Sequence, residues 1–206
     1  MNQEQSAKKT MSYNPPMRVS YAERIGCQGH PGMVIWFTGL SGAGKTTLAT
    51  MLERRLFEQG RRTYLLDGDI LRTGLCRDLG FSAAERQENV RRAGEVARLL
   101  ADGGLITLVA FISPFREDRD RVRHSMGKMG FAEVYVNAPL EVCERRDVKG
   151  LYRRARAREI PEFTGISSPY EHPLTPEVEL RTDLETTEQC LDRLIAHINK
   201  HIAAQT

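Results

Sequence analysis

Apolar positions along the chain follow two alternating rhythms. Residues 33–38 (MVIWFT) form a continuous apolar run rich in β-formers, which predicts a strand buried on both faces. Over residues 46–59, Leu48, Met51, Leu52 and Leu56 return at helical spacing, and Gly60 ends the run. A strand is expected at 63–67 (TYLLD), then a helix over about 70–79. Ser82 and Glu85 have capping-box spacing ahead of a longer helix with Val90, Ala93, Ala97 and Leu100 on its apolar face, closed by Gly103-Gly104. A strand at 105–111, a charged helix over 114–126, a strand at 131–137 and a helix at 139–147 follow. From 148 to 176 the periodicity disappears among four prolines. A short strand near 178–181 then precedes a final helix with Thr186 and Gln189 in capping-box spacing and a stripe of Leu191, Leu194, Ile195, Ile198 and Ile202.

Strands alternating with helices imply an α/β chain with a mainly parallel sheet covered on both faces. Residues 1–18 are polar with a Pro-Pro break and are expected to be a mobile arm; residues 19–206 are expected to form a single domain, with order beginning somewhere in 19–32. The chain is 206 residues long, long enough for one ordinary core. No apolar run spans a bilayer and the N-terminus lacks a signal-peptide core, so a cytoplasmic protein with no membrane partner is expected. Cys27, Cys76, Cys143 and Cys190 are scattered without metal-ligand spacing.

Charge changes the picture. Thirty Lys plus Arg against 27 Asp plus Glu give +3, which argues against nucleic acid as a partner. Inside that total, residues 86–158 carry 16 basic and 10 acidic side chains, and residues 159–206 carry 3 and 9. Arginine excess in the middle third fits either codon bias or an anion-binding face.

One motif is specific. Gly39, Leu40, Ser41, Gly42, Ala43, Gly44, Lys45 and Thr46 fit G-x-x-x-x-G-K-[ST] between an apolar strand and a periodic helix. Such a loop turns its backbone N–H groups onto phosphate oxygens; Lys45 reaches the β- and γ-phosphates of ATP and Thr46 serves Mg²⁺. No guanine-reading element follows, and the 105–111 strand is not closed by a carboxylate. Asp67-Gly68-Asp69 instead supplies acids at a strand's C-terminal end, suited to Mg²⁺ through water and to an acceptor hydroxyl. The same pair also fits a turn capping the next helix. Arg86 and Asn89 share a helical face behind Phe81, with Arg91 or Arg92 as further candidates for an anionic, base-containing ligand. Ser113 to Arg116 lies at the same sheet edge. Lys149, Arg153, Arg154, Arg156, Arg158 and Phe163 lie in the irregular stretch, as a lid over a phosphorylated aromatic substrate would require. A basic surface helix explains the four arginines equally well.

These stretches, WFTGLSGAGKTT (36–47), LDGDILR (66–72), GFSAAERQENVRR (80–92), ISPFREDR (112–119), DVKGLYRRARA (147–157), EFTGISSPYE (162–171) and the TD at 182–183, resemble the adenylylsulfate kinase family in order and over the chain from Val34 onward. The resemblance implies a three-layer P-loop kinase fold with a mobile lid over about 148–176. It implies transfer of the γ-phosphoryl of MgATP to the 3′-hydroxyl of adenylyl sulfate in sulfate activation. By position, Asp67 and Asp69 serve Mg²⁺ and the hydroxyl, with Asp69 as proton acceptor. Arg72, Arg86 and Asn89 contact adenylyl sulfate, and Phe81 and Phe163 flank its adenine. Ile112, Ser113 and Thr164 belong to that pocket, Lys149 stands near the transferring phosphoryl group, and Ser113 carries the family's phosphoserine role. A homodimer and a functional link to sulfate adenylyltransferase are also implied. The chain departs from the family pattern at Arg158-Glu-Ile-Pro161, where Gly and Lys are usual. A P-loop kinase for another small hydroxyl compound, or a nucleotide-regulated nucleic-acid binder using the arginines, are the competing readings.

Overall fold

The computed structural model describes residues 19–204; the expected arm at 1–18 lies outside the described residues. Five strands form one sheet in the order β2-β3-β1-β4-β5, every neighbouring pair parallel. They are β1 (Met33–Thr38), β2 (Thr63–Asp67), β3 (Ile106–Ala110), β4 (Gly130–Asn137) and β5 (Val178–Arg181). All six residues of β1 are buried, because it is central in the sheet and helices cover both of its faces.

Helix α1 (Tyr21–Gln28) opens on a Ser20/Glu23 capping box, and its Gln28 Nε2 donates to the Gly103 carbonyl at 2.8 Å. On one face, α2 (Lys45–Glu58) and α8 (Thr187–Ala203) pack Leu48, Leu52, Leu56, Leu191, Leu194 and Ile198 against Ile35 and Phe37. On the other, α4 (Ala83–Asp102) and α5 (Arg116–Ser125) cover Val34 and Trp36 with Val90, Ala93, Ala97 and Val122. Both expected capping boxes, at Ser82 and Thr186, are formed. Among the described residues no helix is long and apolar enough to cross a membrane.

Several expectations are corrected. Met51 is 37% exposed and Ala49 takes its place on the buried face of α2. Helix α3 (Gly68–Thr73) stops well short of residue 79, because Gly74 leaves helical geometry and the Cys76 N–H turns back to the Leu71 carbonyl. On α4 the expected Leu100 packs against the core half-buried, and Ala101 is fully buried beside it. Two short helices close the list, α6 (Leu140–Arg146) and α7 (Leu151–Arg156), and α7 falls inside the stretch expected to be irregular. Asp147 builds it: its carboxylate accepts from the Tyr152 N–H at 3.0 Å and the Arg153 N–H at 3.1 Å, satisfying two of the orphan donors of the first turn.

The charge asymmetry has a structural cause. Arginines of the earlier segments pair with acids of the last quarter, as in Arg55 with Glu188 and Asp192, and Arg123 with Glu177. Arg91 and Arg92 are held by Glu88, and Arg92 also by Asp78, which keeps both out of the ligand cleft.

Candidate active site

At the C-terminal edge of the sheet lies a cleft of about 1020 Å³, the position where parallel α/β sheets bind ligands. The loop from Gly39 to Thr46 forms its floor. Gly39 has φ 151°, and a Cβ there would stand 2.4 Å from the Val136 carbonyl oxygen, so only glycine fits beside β4. Gly44, at φ 107°, sets the start of α2. Lys45 is buried, and its Nζ donates to the carbonyls of Gly39 (3.0 Å) and Leu40 (2.7 Å). Burial above all, helped by Lys149, pulls its pKa down to about 8 against the opposing effects of Cys143, Asp69 and Asp67.

The capping reading of Asp67-Gly68-Asp69 is realised, and Asp67 makes a second contact beyond it. Asp67 caps α3 through Oδ1, which accepts from the Asp69 N–H at 2.9 Å. Its Oδ2 accepts from Thr46 Oγ1, also at 2.9 Å. One buried carboxylate therefore joins the capping turn to the phosphate-binding loop. Asp69 is exposed and pairs with Lys149 Nζ from beyond α6.

A second lobe of the cleft is lined by Arg72, Phe81, Arg86, Asn89, Ile112 and Ser113. The Arg72 guanidinium lies 4.3 Å from the centroid of the Phe81 ring and donates to the Gly80 carbonyl at 2.9 Å. Arg86 donates to the Phe81 carbonyl (2.7 Å), to Thr164 Oγ1 (2.8 Å) and to the Glu162 carbonyl (2.5 Å), fastening the 160s segment to α4. Burial lowers the pKa of both guanidinium groups, and Arg72 depresses that of Arg86 further. Asn89 is buried and its Oδ1 has no hydrogen-bond partner. Phe163 is buried edge-on against Tyr152, centroids 5.1 Å apart, whereas Phe81 is 59% exposed.

Ser113 sits at φ 38°, in the left-handed region that side chains avoid, and its Oγ accepts from Trp36 Nε1 at 3.0 Å. Arg158 and Glu162 also take positive φ, 61° and 52°, on either side of Pro161. Arg158 thus occupies a left-handed position where the family pattern has glycine.

The residues that sequence reasoning missed line the opposite end of the cleft. Arg146 donates to the Thr182 carbonyl at 2.6 Å and to the Gly42 carbonyl at 3.3 Å, and Thr182 Oγ1 donates to the Ala43 carbonyl at 2.8 Å. Tyr152 OH reaches the Ser41 carbonyl at 2.9 Å. The Thr182-Asp183 dipeptide was a usable signal. Arg146, one of many arginines, gave none.

A parallel sheet with a phosphate-binding loop, a carboxylate pair and an arginine-lined second lobe at one edge defines a small-molecule kinase of the P-loop class. The chain belongs to the adenylylsulphate kinase family, whose model matches residues 31–181. A probable adenylyl-sulfate kinase of Halalkalibacterium halodurans is 57% identical over 166 residues, covering 81% of this chain and 82% of that relative. An adenylyl-sulfate kinase of Clostridium acetobutylicum is 55% identical over 170 residues, 82% and 84% of the two chains. The structure of Mycobacterium tuberculosis APS kinase CysC in complex with AMPPNP and APS is similar with a TM-score of 0.79 at 48% identity, covering 82% of this chain and 99% of that one.

Proposed function

We propose that this chain transfers the γ-phosphoryl group of MgATP to the 3′-hydroxyl of adenylyl sulfate, giving 3′-phosphoadenylyl sulfate and ADP. The observation that carries the reading is the two-lobed cleft, with the phosphate loop and Asp67-Gly68-Asp69 between its halves. The loop N–H groups and Lys45 take the triphosphate, and Arg146 and Thr182 stand where its base would lie. In the other lobe Arg72 and Arg86 face the sulfated anion, Phe81 and Phe163 bind the adenine, and the free Oδ1 of Asn89 accepts from an amino group. Ile112, Ser113 and Thr164 complete that wall.

Asp69 orients the acceptor hydroxyl and takes its proton, and Lys149 neutralises charge on the moving phosphoryl group. Thr46 and Asp67 suit Mg²⁺. Both offer hard oxygen donors, and one or two carboxylates beside substrate phosphates are what this ion prefers. Bound there, the ion would neutralise phosphate charge. The 148–176 segment acts as the lid, bringing Lys149, Phe163 and Thr164 over the ligands.

The proposal extends, on the family resemblance, to a cytoplasmic homodimer of 19–206 single-domain subunits fed by a sulfate adenylyltransferase in sulfate assimilation. Light scattering of the purified protein tests the dimer. Incubation with adenylyl sulfate and MgATP, following ADP and the 3′-phosphorylated product, tests the reaction. Turnover with another small alcohol but none with adenylyl sulfate would overturn it.

A further inference from the structure

Arg119 on α5 does not line the cleft, yet it bonds Ser113 in the cleft wall, Glu171 in the segment that supplies Phe163 and Thr164 to that wall, and Glu133 on β4 behind them. It is 2% exposed. Its Nε donates to Glu133 Oε1 on β4 at 2.6 Å, which balances its charge. Its two terminal nitrogens go elsewhere: Nη1 to the Ser113 carbonyl at 2.7 Å and Nη2 to the Glu171 carbonyl at 2.8 Å. One planar fork therefore spans the strained turn beneath the acceptor lobe and the C-terminal root of the 148–176 segment. The same junction holds the Glu171 N–H on the Pro114 carbonyl at 2.8 Å, and the Arg116 N–H on the Glu171 carboxylate at 2.9 Å. Thr38 Oγ1, at the end of β1, adds the Ile112 carbonyl at 2.7 Å and Tyr170 OH at 3.0 Å.

A buried guanidinium needs a carboxylate for charge; it does not need two main-chain carbonyls from segments 58 positions apart (171 minus 113). A non-glycine residue at φ 38° persists only where its surroundings over-determine it, and Arg119 supplies one of those constraints. We propose that Arg119 is a positioning residue for the acceptor pocket, holding the Ser113 turn and the root of the 148–176 segment in one register. This rests on the kinase reading above for its kinetic consequence but not for its structural one.

The test replaces the buried pair together, Arg119→Met with Glu133→Leu, because exchanging both charges for apolar groups commonly preserves folding. Arg119→Lys, which keeps the charge but loses the fork, serves as a second variant. Trp36 is the only tryptophan, and its indole N–H bonds Ser113, so the single ¹⁵N indole resonance reports the turn without any ligand. With the thermal midpoint near that of the parent protein, we expect a shifted or broadened indole resonance. KM for adenylyl sulfate should rise about tenfold while affinity for an ATP analogue changes less than about twofold. An unmoved resonance with parental KM in either folded variant, or equal loss at both ligands, would overturn the proposal. If the parent protein fails to turn over adenylyl sulfate, the functional reading falls, and the indole resonance still decides the role of Arg119.

Discussion

Lys149 Nζ donates to the Asp69 carboxylate, joining residues 80 positions apart across the mouth of the cleft. Under the proposed reaction this carboxylate must accept the hydroxyl proton, so Lys149 has to pass from Asp69 to the phosphoryl group as substrates bind. Asp69→Asn should lower kcat by about 10²–10⁴ while leaving affinity for an ATP analogue within about threefold. Lys149→Met should lower kcat less. The double variant should fall short of the product of the two effects, since the residues share one contact. Steady-state kinetics on the three proteins checks this, and full additivity would contradict the shared role.

Lys45 gives a pH dependence whose sign can be worked out. Its folded pKa of about 8 lies below the ordinary value of 10.5. Between those values the unfolded chain binds more protons than the folded one, so this residue makes the free protein more stable as pH rises through that window. Triphosphate binding runs the other way, because the anion favours the ammonium form. Above pH 8, binding of a non-hydrolysable ATP analogue should therefore take up a proton, and its Kd should rise by up to about tenfold per pH unit. Calorimetry at pH 9 in buffers of different ionisation enthalpy measures the uptake.

The two aromatics expected at one adenine differ in burial, and so should their variants. Phe81 is 59% exposed beneath Arg72, so Phe81→Ala should raise KM for adenylyl sulfate with a stability change within about 0.5 kcal/mol. Phe163 is 8% exposed and packs on Tyr152, so Phe163→Ala should also lose about 3 kcal/mol of stability. Denaturant titrations beside acceptor kinetics separate the two.

Strands β1 and β3 were readable because burial on both faces makes each a continuous apolar run, and helix α8 because its one buried face returns apolar residues at helical spacing. The phosphate loop was readable because Gly39 and Gly44 take backbone angles that few other residues tolerate. Helix α7 was not, because a six-residue helix whose first-turn N–H groups are satisfied by Asp147 shows too little periodicity to register. Nor was the end of the cleft where Arg146 and Thr182 meet. Arg146 acts there through contacts with Gly42 and Thr182, distant in sequence and without a fixed spacing. The same limit hid the pairing of middle-third arginines with the acidic final quarter, which reads as an anion-binding face until Arg123 is seen on Glu177. Arg86 and Asn89 were legible because one helical turn separates them.

Ser113 is the residue on which sequence resemblance and geometry pull apart. The family pattern assigns it a phosphoserine, but its Oγ accepts from Trp36 Nε1, the residue is 2% exposed, and its backbone is held in the left-handed region. A nucleophilic hydroxyl needs a base within reach, and the contact seen here is a donor. Direct in-line transfer from ATP to the 3′-hydroxyl needs only positioning and charge neutralisation. Ser113→Ala should therefore keep kcat within about tenfold, far above the loss of a covalent nucleophile. It should leave the buried Trp36 N–H without its acceptor, costing about 1–3 kcal/mol of stability. Measuring kcat and the thermal midpoint on the same preparation decides the matter. A loss of turnover by several orders of magnitude in a folded Ser113→Ala protein, with ³²P retained on the parent enzyme after acid quench, would instead establish the covalent route.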